Sequence, residues 1–430
     1  MRSEARACAY DAVRRTFEQG AYTDRVIHAA ADLEPRERAL AVRLAYGTVQ
    51  RRGTLDHLIG LWSDRRLDPP LQAALRLGIY ELLWTASAPH AILNDVVELA
   101  KEQGGGPGYK LVNAVLRRAT RDGERMLGGL SDEDPRSASV KHSMPEWITQ
   151  MWWERLGGER TRALLVRCNE PAERSLRANT LRTDALSLAA ALPVDAHAAG
   201  DPPEAVIVEQ AFDAHADPRW RAGDFTPQSR AAMLVARALD PQPGERVLDM
   251  CAAPGAKTTH LAALMGGRGE IVAVERHTGR ARALERTAAR MGAGNVRVVV
   301  GDAGEHRGRY ERILLDPPCT GLGTLQSRPD LRWRATPESQ TALVGIQARL
   351  LSAAAEMLTP GGTLVYSTCT ISPPENEEQM QRCLEEHPDL TARSLAPRFP
   401  AWADPGPFIQ SLPSVQGSDG FFIAALERTR

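Results

Sequence analysis

The chain has 430 residues, 43% of them hydrophobic and 25% charged, with a formal net charge of -1. That length exceeds a single core and calls for two or three domains of ordinary globular composition. Lys plus Arg against Asp plus Glu run 19 to 16 over residues 1–130, 13 to 17 over 131–240 and 21 to 21 beyond, so no segment has the basic excess of a non-specific nucleic-acid binder. Any RNA-binding face must therefore gather its cations on one side. No apolar run approaches the roughly 20 residues that cross a bilayer, and "MRSEARACAYDAVRRTFEQG" lacks the continuous apolar core of a secretory signal. The six cysteines form no C-x-x-C pair and are too sparse for a disulfide scaffold. Free thiols in a reducing cytoplasm, with no metal and no membrane, are the expectation.

In chain order, residues 1–125 repeat apolar positions at three- and four-residue spacing and predict helices, the first starting almost at Met1. "RERALAVRLAYGTVQRRGTLDHLIGLW", "LQAALRLGIYELLW", "PHAILNDVVELAKEQ" and "GYKLVNAVLRRATR" carry the pattern; "DLEPRER" and "GGGPG" at 104–108 separate helices. Spacing alone leaves open a helical bundle without chemistry of its own. The same segments resemble the NusB RNA-binding domain, and that resemblance implies an RNA-binding or docking role for residues 1–128. Residues 126–140 are polar and predict a linker. "HSMPEWITQMWWERLG" predicts a helix from Pro145, whose Trp147, Trp152 and Trp153 suit packing better than base stacking. "RSLRANTLRTD" predicts a strand and turn within a small α+β connecting, RNA-contacting domain at 140–225.

Residues 226–430 change character. "ERVLDM", "GEIVAVE", "VRVVVGD", "RILLDPP" and "GTLVYST" are short Val/Ile/Leu runs separated by helical stretches near 257–265, 278–291 and 338–358. This alternation predicts a Rossmann-like, doubly wound α/β sheet. "GFFIAALER" predicts a last strand, antiparallel at the edge. After "VLD", the small residues of "MCAAPGAKTTHLAAL" form a turn into a helix, where a ligand can approach backbone N–H groups. The turn is not G-x-G-x-x-G. Asp249, Glu275, Asp302 and Asp316 each follow a strand and so share the carboxyl-end rim, where ligands of open α/β sheets bind. Glu275 suits ribose hydroxyls, and Asp302 an adenine amino group.

"LDMCAAPGAKTTHLA", "LLDPPCTGLGT" and "LVYSTCTISPPENE", with "PAERSLRANTLRTD" and "DGFFIAALER", resemble the S-adenosylmethionine-dependent RNA cytosine-5 methyltransferases. Together with the NusB-like segment the likeness spans nearly the whole chain, and it points to the subgroup that methylates a cytosine of small-subunit ribosomal RNA. The resemblance implies that Cys251, Ala252, Ala253, Pro254, Gly255, Ala256 and Lys257, with Glu275, Asp302 and Asp316, line an S-adenosylmethionine site. This chain departs from the family pattern at Ala256, usually glycine, and at Glu275, usually Asp.

Cytosine C5 is a poor nucleophile, and a thiolate adding at C6 activates it, which divides one hard step into two easier ones. Cys319 and Cys369 follow consecutive strands, so one pocket can receive both. Read alone, Cys319 suits the attacking thiol, with a small buried thiol as the rival reading. The resemblance assigns attack to Cys369, in the Thr-Cys motif of the RNA family, and product release to Cys319. Lys257 suits electrostatic support of a thiolate. Asp316 suits contact with N3 or the amino group of the base, the first role needing its proton. Cys8, Cys168 and Cys383 are expected to be packing residues. "SRPDLRWR" offers Arg328, Arg332, Trp333 and Arg334 as RNA contacts, with a solvated basic loop as the rival reading. Two other readings compete for the whole chain: an exocyclic-amine methyltransferase, which needs no thiol, and a non-catalytic RNA-binding assembly factor that retains the fold. A monomer acting on ribosomal RNA is expected.

Overall fold

The computed structural model describes residues 3–28, 33–65, 67–104, 106–403 and 405–429. The expected helix start at Met1 and Gly105 of the expected 104–108 loop lie outside these residues. The chain forms two compact units: residues through Glu170 with Leu325–Arg334, and Pro171–Thr324 with Ala335–Arg430.

The first unit is helical. Its helices are α1 (Glu4–Glu18), α2 (Thr23–His28), α3 (Pro35–Gln50), α4 (Arg52–Trp62), α5 (Pro69–Trp84), α6 (Pro89–Gly104), α7 (Tyr109–Gly128), α8 (Pro135–Lys141) and α9 (Glu146–Arg167). Ser3 caps α1 by accepting from Arg6 N, and prolines open α3 and α5, where a missing N–H costs nothing. Leu44, Leu55, Leu58, Leu75, Leu77 and Leu116 form a fully buried core. Inside it Arg6 binds Glu81 at 2.8 Å and Asp95 at 2.7 Å, so each buried charge has a partner. The expected linker at 126–140 is largely helical: α7 ends at Gly128 and α8 begins at Pro135, capped by Asp134. The unit therefore continues past residues 128 and 140, where boundaries were expected. α9 starts after Pro145 and is broken at Gly157, whose φ of +77° favours glycine. Trp152 is fully buried, and Arg162 lies over the Trp153 ring.

The second unit begins with a small antiparallel sheet of order β2-β3-β1-β4, built from β1 (Ser175–Ala178), β2 (Ala196–Ala198), β3 (Ala205–Val208) and β4 (Phe225–Pro227). Two short helices, α10 (Ala185–Ala191) and α11 (Pro218–Ala222), fill its connections. After α12 (Arg230–Leu239) the chain alternates strand and helix: β5 (Arg246–Asp249), α13 (Ala256–Leu264), β6 (Glu270–Glu275), α14 (Thr278–Met291), β7 (Val296–Val300) and β8 (Tyr310–Leu315). It leaves the unit at Thr324 and adds a short helix, α15 (Leu331–Arg334), to the helical unit. On return it forms α16 (Pro337–Met357), β9 (Leu358–Thr368), α17 (Glu377–Glu386), β10 (Leu390–Arg393), β11 (Ile409–Gln410) and β12 (Phe422–Arg428). The sheet order is β10-β12-β9-β8-β5-β6-β7, parallel from β9 to β7 and antiparallel at β12 and β10. The last strand is thus antiparallel as expected, but it lies inside the sheet between β9 and β10. Its first five residues are all buried. The strand order reverses between β5 and β8, and such a switch point opens a crevice at the carboxyl ends of the strands. Among the described residues no helix is long and apolar enough to cross a membrane.

The segment 325–334 corrects part of the sequence reading. Arg332 is not a surface cation but fully buried in the helical unit. It donates to the carbonyls of Ser143 at 3.1 Å and Cys168 at 3.0 Å and to Asn169 Oδ1 at 3.0 Å. The Trp333 indole N–H donates to Val49 O at 2.7 Å, and Arg334 binds Gly20 O at 2.7 Å and Asp330 at 2.8 Å. These three side chains anchor the segment. Of the four residues expected to meet RNA, only Arg328 is exposed.

Candidate active site

The loop after β5 turns at Gly255, whose φ is +106° and where a Cβ would lie 2.7 Å from Leu284 Cδ1; only glycine fits. Ala256 is the first residue of α13 and has no positive φ, so the departure from the family pattern costs no backbone strain. Arg177 of β1, fully buried, donates to Gln228 Oε1 at 2.6 Å, Thr259 Oγ1 at 2.9 Å and the Ala256 carbonyl, tying the small sheet to this loop. Burial lowers its pKa to about 9.

The four carboxylates stand at or just beyond the ends of adjacent strands, and along the rim they run Asp316, Asp249, Glu275, Asp302 after β8, β5, β6 and β7. Asp249 is buried and accepts from Thr258 Oγ1 at 2.7 Å. Burial pushes its pKa up to about 7; the Thr258 hydrogen bond opposes this and the Asp316 charge adds to it. Glu275 accepts from His277 N at 2.8 Å through Oε1, while Oε2 stands 3.6 Å from Arg280. Arg280 also donates to Ala253 O at 2.7 Å, bracing the loop. Asp302 accepts from Gly304 N at 2.8 Å and from both arms of Arg349 at 3.1 Å, which hold its carboxyl below the usual range. Asp316 accepts from Lys257 Nζ at 2.7 Å and Ser367 Oγ at 3.0 Å. Burial works to lower the Lys257 pKa, but Asp316, Cys369 and Asp249 outweigh it and the net shift is upward. Cys251, Ala252, Ala253 and Pro254 complete the loop, and burial raises the Cys251 thiol.

Beside this rim the structure brings the two expected cysteines together: Cys319 Sγ and Cys369 Sγ are 3.4 Å apart. The Cys319 thiol is raised well above its usual range, first by its hydrogen bond to Cys369 and then by burial and the nearby charges of Cys369, Glu375 and Asp316. Gly323 keeps the loop close, donating to the Cys369 carbonyl at 3.0 Å; a Cβ on it would strike the Gly420 carbonyl. Cys168 and Cys383 are buried, as packing residues would be, and Cys8 is partly so.

Sequence reasoning missed the supports of this pocket. Glu375 and Asn376, both fully buried, connect the two cysteine loops, and Ser367, Arg349 and Arg177 orient the rim. Four of the five stand in or beside motifs already singled out, "RSLRANTLRTD" and "LVYSTCTISPPENE". Arg349, in the middle of α16, has no such signal.

The sheet order, the loop after β5 and the carboxylate rim define the class: a methyltransferase fold behind an all-helical unit. Residues 236–427 match the family described as 16S rRNA methyltransferase RsmB/F, and residues 3–121 match the NusB family. The chain is 36% identical to a probable ribosomal RNA small subunit methyltransferase B from Synechocystis, covering 99% of each chain. It is 30% identical to the ribosomal RNA small subunit methyltransferase B of Vibrio cholerae, over 98% of this chain and 97% of that one. The crystal structure of PH0851 superposes with a TM-score of 0.83 at 25% identity, covering 100% of this chain and 99% of that one. A methyltransferase homolog from Pyrococcus horikoshii gives 0.61 at 29% identity, over 69% of this chain and 100% of that one. The chain belongs to the RsmB/F family of 16S rRNA methyltransferases, and it is an enzyme of that family with a NusB domain.

Proposed function

We propose that the protein transfers a methyl group from S-adenosylmethionine to C5 of a cytosine in 16S ribosomal RNA, through a covalent bond between Cys369 and C6. The observation that carries this reading is the thiol pair 3.4 Å apart beside the carboxylate rim. Methylation of an exocyclic amine needs neither thiol. The residues present fit the cofactor: Glu275 suits the ribose hydroxyls, Asp302 the adenine amino group, and the loop Cys251–Lys257 brings small residues against the ligand. When bound, the cofactor supplies an electrophilic methyl on sulfur.

This chain's residues supply the rest. The target base must leave its stack to reach the pocket. Asp316, with donors on both oxygens, acts as an acceptor and suits the 4-amino group of the base. The Cys369 thiolate, with Lys257 nearby, adds to C6 and makes C5 nucleophilic. After methylation Cys319 takes the C5 proton; the C5–H electrons re-form the C5–C6 double bond as the C6–S bond breaks. Cys319 must first lose its own proton to solvent. Formation of the thioether on Cys369 removes the thiolate charge that helps to raise the Cys319 thiol. The helical unit supplies RNA docking, and Arg328 an exposed cation for phosphate. We take the enzyme to act as a monomer in the reducing cytoplasm, where free thiols persist.

The thiols provide the test. Cys369→Ala should abolish methyl transfer, and Cys319→Ala should accumulate a denaturant-stable protein–RNA adduct. An adduct trapped by Cys369→Ala instead would reverse the roles.

A further inference from the structure

Glu375 has no part in the steps above, yet it is fully buried at the end of the turn Pro373–Glu375. A buried carboxylate persists only when well hydrogen-bonded, and this one binds residues on both sides of Cys319. Thr320 N donates to Oε2 at 2.9 Å and Thr320 Oγ1 donates to Oε1. Gln347 Nε2 bridges Oε2 at 3.1 Å and the Pro318 carbonyl at 2.9 Å. Pro318 and Thr320 are thus fixed to one carboxylate, with Cys319 between them. The same clamp reaches β9: Thr320 Oγ1 is 2.7 Å from Thr370 Oγ1, and Tyr366 OH donates to the Glu375 carbonyl at 2.6 Å. Asn376 closes it by accepting from Thr368 Oγ1 at 2.6 Å and donating to Thr370 O at 3.1 Å. Thr368 and Thr370 flank Cys369.

We propose that Glu375 is a positioning residue for product release: its carboxylate, bonded directly to Thr320 and through Gln347 to Pro318, holds the Cys319 thiol where it can take the C5 proton, and release depends on it more than attack by Cys369 does. The proposal rests on the C5-methylation reading. The charged and titratable groups facing Cys319 are Tyr366 of β9 and Cys369 just after it, Asp316 after β8 with Lys257 upon it, and Glu375. Among them the Glu375 charge opposes ionisation of Cys319.

A single-turnover assay with 16S rRNA and methyl-labelled S-adenosylmethionine can follow methyl incorporation and decay of the covalent adduct separately. Glu375→Ala should slow adduct decay by about ten- to a hundredfold, the worth of one hydrogen bond to a charged group, and slow first-turnover methylation much less. Glu375→Gln keeps the shape and an acceptor for Thr320 N–H without the charge. It should restore decay and move the release limb of the pH profile to lower pH, since Cys319 then ionises more readily. Equal slowing of both steps in Glu375→Ala, or an unmoved pH limb in Glu375→Gln, would overturn the proposal while wild type still methylates C5. A wild-type enzyme that places no label on C5 would overturn the underlying reading as well.

Discussion

At the scale of single residues, chemistry here follows from what surrounds each group. Cys319 and Cys369 are both partly buried, and the hydrogen bond to Cys369, loss of solvent and the charges of Cys369, Glu375 and Asp316 raise the Cys319 thiol well above its usual range. Asp249 is shifted in the same direction: burial raises its carboxyl from 3.8 to about 7. A group whose folded pKa lies above its unfolded one contributes stability that is present below the unfolded value and lost as pH rises through the folded one. Asp249→Asn retains an acceptor for Thr258 and removes the titration. Between about pH 5 and about pH 8, wild-type thermal stability should therefore fall relative to Asp249→Asn. Parallel pH profiles in thermal melts would contradict the buried-acid account. Gly255 and the strand-end acids were legible in the sequence because a tight turn and a strand terminus have local signatures. Glu375 was not, because a buried carboxylate and a solvated one are spelled alike.

Among the elements, α15 shows how composition misleads. "SRPDLRWR" has the cations and aromatic of an RNA-contacting loop, yet Arg332 and Trp333 serve backbone carbonyls of the helical unit. Guanidinium suits a buried fork of carbonyls for the same reason it suits phosphate: five donors in one plane. Arg332→Ala would leave the Ser143 and Cys168 carbonyls without this donor. It should lower stability against urea by about 3 kcal/mol, and Arg332→Lys should recover little because a point charge cannot span the fork. A neutral effect on urea unfolding would show that the anchor is dispensable. β12 shows the reverse case. "FFIAAL" lacks polar alternation, which marks a strand covered on both faces, whereas the short, polar β10 forms the edge.

For the whole molecule, the doubly wound sheet was legible from Val/Ile-rich runs alternating with helices, and the helical unit from its periodicity. The division of the chain was not. A polar stretch such as 126–140 signals a linker, but Asp134 and Pro135 together start a helix, and α9 continues the same unit to Glu170. Contacts far apart in sequence, such as residues 325–334 joining the helical unit, leave no local trace. The rim acids and the thiol pair converge because β5, β6, β7, β8 and β9 run parallel and present their carboxyl ends together. The central claim is that this convergence methylates carbon rather than nitrogen. Its most direct test is to incubate the purified protein with unmodified 16S rRNA and methyl-labelled S-adenosylmethionine, digest the RNA to nucleosides and locate the label. The account predicts 5-methylcytidine at stoichiometric yield from one site; label on an exocyclic nitrogen, or on no cytidine at all, would contradict it.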